Sequence, residues 1–124
     1  MPVEEALKAI AESSGRKGLK VELKGSSVII DHPEYPLEIV VSQEAPGEFV
    51  VELRVKEGLE ETIEEMLDDE IDPRAELEDA LDQLLSVVDY AVRKLETMGY
   101  HVNKKTREAI LDVYDAIESF LEEE

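Results

Sequence analysis

The chain has 124 residues, 43% of them apolar and 36% charged, with 32 acids against 13 bases and a formal charge of −19. That balance excludes a disordered chain, and it excludes broad contact with nucleic acid or an anionic membrane, which its charge repels. The absence of cysteine removes disulfides, thiolate metal sites and thiol nucleophiles together.

One domain spanning residues 1–124 is expected, large enough to bury a core without covalent staples. "MPVEEALKAI" carries acids where a signal peptide carries bases, and no apolar run reaches the roughly 18 residues of a membrane span. The expectation is a soluble, unexported, cytoplasmic protein with no membrane contact. Glu is abundant while Gln and Asn together total three, a composition that points to a thermophilic source. Charge divides the chain. Residues 1–56 hold 10 acids and 7 bases, whereas residues 57–124 hold 22 acids and 6 bases.

Val3, Ala6, Leu7 and Ile10 recur at helical spacing and predict a helix over 3–14, with Gly15 as its stop. The period then falls to two. Leu19, Val21 and Leu23 alternate with Lys20, Glu22 and Lys24; Gly25-Ser26 is a hairpin turn; Val28 to Ile30 forms the return strand. "DHPEYP" is a loop, because its prolines break any ladder. Leu37, Ile39 and Val41 start a third strand. Pro46 and Gly47 suit the centre of a type II turn. Phe49, Val51, Leu53 and Val55 then line one face of a fourth, opposite Val50, Glu52, Arg54 and Lys56. A four-stranded antiparallel meander results, with one apolar face to be covered.

From Gly58 the period is helical. Leu59, Ile63, Met66, Leu67 and Ile71 form a narrow stripe, and Asp72-Pro73 caps the next helix. There Leu77, Leu81, Leu84, Val88, Ala91, Leu95 and Met98 keep a seven-residue repeat for about three heptads. Gly99 ends it. Ile110, Tyr114, Ile117 and Leu121 mark a last helix, for which Asn103 is the expected N-cap. The fold class is α+β: an N-terminal helix, the meander, then three helices, the last two an antiparallel hairpin.

Cations gather around "TMGYHVNKKTRE". Arg93 and Lys94 suit the end of the long helix. Lys104, Lys105 and Arg107 depart from the rule that acids open a helix. Three roles are open to them. They pair with the acid-rich stretch "EGLEETIEEMLDDEID", within the chain or across a dimer; they stand solvated; or they bind an anion. Tyr100 and His101 flank them, Tyr100 packing beyond the Gly99 cap.

No catalytic pattern emerges. His32 and His101, the only histidines, have no metal-ligand spacing around them, and no serine sits in a nucleophile-elbow context. His32 reads as a turn histidine. Glu60, Glu61 and Glu64, followed by Glu76 and Asp79, resemble the EExxE…ExxD layout of the all-helical nucleotide pyrophosphohydrolases of the MazG type. That resemblance implies magnesium held against a nucleotide's phosphates. The helical period, however, turns Asp79 about 200° from the Leu77–Leu84 seam, toward water.

No cofactor or metal is expected. The reading is a non-enzymatic, acidic protein-binding module, similar in size, acidity and helix–sheet mix to small adaptor and secretion-chaperone-like proteins, and acting as a homodimer. Its partner has a basic or apolar surface. The residues expected at the interface are Arg93, Lys94, Tyr100, His101, Lys104, Lys105 and Arg107 on one side, and Glu61, Glu64, Glu65, Asp68 and Asp69 on the other. The alternatives are a nucleic-acid mimic acting through helix 59–70, or the magnesium-dependent hydrolase.

Overall fold

The computed structural model describes residues 2–122. A first helix, α1 (Pro2–Arg16), leads into four strands: β1 (Lys20–Lys24), β2 (Ser27–Asp31), β3 (Leu37–Ala45) and β4 (Glu48–Val55). Then come α2 (Leu59–Asp68), α3 (Pro73–Thr97), a fifth strand β5 (His101–Lys105) and α4 (Arg107–Glu122). The chain is α+β, as its changing apolar period dictates.

The first four strands pair antiparallel in chain order, and β5 adds to β4 in parallel, so the sheet has five strands in the order β1-β2-β3-β4-β5. Strict alternation sends Val28, Ile30, Leu37, Ile39, Val41, Phe49, Val51 and Leu53 to one face, where all are buried. Helices α1, α3 and α4 pack on that face. Gly47, at φ 78°, supplies the left-handed residue that the Pro46-Gly47 turn requires.

The long helix begins as its sequence dictates. Asp72 accepts a hydrogen bond from the Arg74 N–H at 3.0 Å, with Pro73 at the first helical position. It ends with a Schellman pattern: the Tyr100 N–H donates to Leu95 O at 3.1 Å and the Gly99 N–H to Glu96 O at 2.9 Å. Gly99 takes φ 93° to close it.

Two expectations are corrected here. The heptad residues Leu77, Leu81, Leu84, Val88, Ala91 and Leu95 are buried in a core shared with the sheet and the other helices, and α3 packs on α1 and the sheet as well as on α4. The expected short loop between the last two helices is a strand. β5 completes the sheet because β4 otherwise presents an open edge of backbone donors and acceptors. Asn103 accordingly lies in β5 and caps no helix; the carbonyl of Thr106 accepts the first helical bond of α4, from the Ile110 N–H at 3.2 Å. Helices α3 and α4 do touch: the Tyr114 hydroxyl donates to Glu78 Oε2 at 3.1 Å, and the Arg74 guanidinium lies over the Tyr114 ring at 5.9 Å.

Among the described residues all four helices lie on one side of the sheet, and its other face carries none. The register sets Ile29 opposite Val40, and Val50 between Ser42 and Asn103. None of the three aliphatic residues joins the core cluster.

Candidate functional site

The strand that replaces the expected loop gives the basic turn its surroundings. Parallel pairing brings the C-terminal ends of β4 and β5 together, beside the start of α4, and a cleft of about 550 Å³ opens there. Arg54, Lys104, Lys105 and Arg107 stand on its walls, with Glu52, Glu108 and Asp112 among them. Bases thus outnumber acids locally, in a chain with 32 acids and 13 bases.

The alternation of β5 splits its two lysines. Lys104 pairs with Val51 in register and so points to the helical side, where its Nζ lies 3.1 Å from Asp89 Oδ1 of α3. Lys105 pairs with Glu52 and points to the open side. Arg54, meanwhile, is held by Glu52 at 3.0 Å. Among the described residues, Lys105 and Arg107 make no ion pair. The Lys104–Asp89 pair is half-exposed, so water screens it and it contributes little to stability.

The predicted site residues therefore fall in several places. Arg93 is exposed and donates through Nε to the carbonyl of Asp89 at 3.4 Å, which sets Arg93, Asp89 and Lys104 side by side. Lys94 lines a separate shallow depression with Tyr90 and Arg93. Tyr100 packs edge-on against Phe49, with ring centroids 5.1 Å apart, so it belongs to the end of the α3 cap. His101 is exposed, and its N–H donates to Gly47 O at 2.9 Å, tying β5 to the β3–β4 turn.

Glu61, Glu64, Glu65, Asp68 and Asp69 all lie exposed on or just after α2. Among the described residues, no ion pair joins them to the basic turn. The two features are neighbours: α2 packs against α4, and Val55 and Asp112 line both the basic cleft and a depression at the start of α2.

Among the described residues, no group of three or more His, Asp or Glu side chains is placed to hold a metal ion. Glu60, Glu61, Glu64, Glu76 and Asp79 are all exposed. His32 organises its own loop: its Nδ1 accepts the N–H groups of Glu34 at 3.1 Å and Tyr35 at 3.2 Å, and its ring stacks on Tyr35. Desolvation holds its pKa below the ordinary imidazole value, against the weaker opposing pull of Glu34 and Gln83. No helix among the described residues is long and apolar enough to cross a membrane.

Sequence reasoning missed two parts of this surface. Glu52 and Arg54 reach the cleft only because β5 lands beside β4. Ile29, Val40 and Val50 sit at outward strand positions where polar residues are usual, and that departure was legible. Compared with protein-family models, curated proteins and solved structures, the chain matches none.

Proposed function

We propose that the chain is a non-enzymatic protein-binding module, adaptor- or chaperone-like, that works as a homodimer and meets a basic surface of another protein with its helical side. One observation carries this reading. The acids of α2 are exposed, have no base on their own helix, and enter no ion pair among the described residues. A carboxylate field without internal partners attracts cations at long range and speeds encounter with a basic partner.

The defining test uses immobilised chain and a lysate of the source cell. A stoichiometric basic protein is retained at low salt and released as salt rises. A variant with Glu61, Glu64, Glu65, Asp68 and Asp69 replaced by the matching amides retains none of it. Retention unchanged by the amides removes α2 from the reading; no retained protein removes the reading itself. A captured protein that releases DNA or RNA when the chain binds assigns α2 the role of a nucleic-acid mimic. The hydrolase alternative has its own test: turnover of nucleoside triphosphates with Mg²⁺ would replace the binding reading, and no turnover removes the hydrolase.

A further inference from the structure

We infer that a second copy of this chain docks on the open face of the sheet, the two sheets packing face to face. The inference rests on the dimer in the reading above and names its surface.

The register across the five strands defines that face. Its centre is uncharged: Ser27 and Ile29 on β2, Val40 and Ser42 on β3, Val50 on β4 and Asn103 on β5. Around it stand the bases Lys20, Lys24, Arg54, Lys56 and Lys105. The acids of the same rim are Glu22, Asp31, Glu38, Glu44 at the β3 bulge, Glu48 and Glu52. Five bases against six acids leave a net of −1 on this face of a chain whose formal charge is −19. An uncharged centre inside a charged rim is the anatomy of a protein interface. Ordinary water-facing sheet surfaces alternate to polar residues throughout; this one places three β-branched aliphatics on three adjacent strands. Val50 is only 5% exposed although no helix covers it.

Charge selects the occupant. A basic partner is drawn to the carboxylates of the helical side. A second copy, itself at −19, is repelled there and meets the least repulsion on the nearly balanced face. A patch with both signs in nearly equal number can complement itself about a two-fold axis. Size sets the strength. Strands about 4.8 Å apart and about 3.3 Å per residue give a projected area of roughly 400 Å² per copy. Side-chain relief raises the accessible area above that, toward the lower end of specific interfaces, so dimerisation is concentration-dependent.

Sedimentation equilibrium over a wide concentration range tests this. The expected result is a monomer–dimer equilibrium that tightens with salt, Kd falling about threefold or more between roughly 0.03 M and 0.3 M as copy-to-copy repulsion is screened. Val40→Glu raises Kd at least about tenfold, as loss of a central contact does, with the circular dichroism spectrum unchanged. Because the chain has no cysteine, Ser42→Cys and Ser119→Cys each carry one spin label, and the inter-label distance is shorter at Ser42. The labels decide the matter if Val40→Glu does not fold.

A monomer at every concentration overturns the inference. So does a dimer that weakens with salt, which is the behaviour of α2 docking on the basic turn, or one with the Ser119 labels closer. A Val40→Glu monomer that still retains the basic partner supports the inference and shows that the partner reading stands apart from it.

Discussion

Glu70 is the one described residue other than glycine with a positive φ, at 61°. It closes α2: the Ile71 N–H donates to Met66 O at 2.8 Å and the Glu70 N–H to Leu67 O at 3.2 Å, a Schellman ending with glutamate where glycine is usual. The left-handed conformation costs an L-residue about 1–2 kcal/mol, and an acid at a helix C-terminus adds a smaller penalty. Glu70→Gly should stabilise the fold by about 1 kcal/mol once the greater backbone entropy of glycine is set against these terms; urea denaturation measures it. His32 supplies a pH effect. Its folded pKa is lowered, chiefly by desolvation, so the unfolded chain binds the proton first. Its contribution to stability is present above about pH 6.5, the ordinary imidazole value, and is lost as pH falls through the folded pKa. His32→Asn keeps an acceptor for the Glu34 and Tyr35 N–H groups but cannot titrate. The stability difference between the two proteins should therefore change below that pH and stay flat above it.

At the scale of elements, α3 and β5 illustrate opposite kinds of control. The heptad pattern of α3 was plain in the sequence, and its residues are buried as the pattern requires. Which surface they meet was not plain, because a seam that can zip to a helix can equally lie on a sheet. Leu84 is fully buried, so Leu84→Ala should cost about 2–5 kcal/mol, a large fraction of a domain's total stability. By contrast, β5 has one half-buried apolar residue, Val102, among four exposed polar ones. Its propensity is weak, and the open edge of β4 decides its state. Gly99 at φ 93° turns the chain from α3 into that strand. Gly99→Ala should destabilise by about 1–2 kcal/mol, and amide exchange should quicken first in His101–Lys105, the strand it positions.

Over the whole molecule, the arrangement of charge is the organising fact. Residues 57–124 hold 22 acids and 6 bases, and most of those acids sit exposed on the helices. The open face of the sheet nearly balances its charges and places aliphatic residues at its centre. A molecule with two such sides should answer salt in two senses. Capture of a basic partner should weaken as ionic strength rises, by loss of attraction, while self-association should strengthen, by loss of repulsion. Measuring both on one preparation, by titration calorimetry and sedimentation, checks the assignment of the two sides. Salt dependence of the same sign for both would mean that one surface serves both contacts.

The sequence by itself determined the α+β class, the meander and its buried face, the capped start and glycine stop of α3, and the acid-rich second half. Each is a local property, written in apolar period, turn chemistry or composition. Tertiary structure decided that the basic turn is a strand, that its lysines face opposite sides of the sheet, and that Arg54 joins them at a cleft. It also decided that the charges of one sheet face nearly cancel. These depend on which edge a short polar segment finds and on the register it takes there, and pairing energy between distant residues leaves no period in the chain.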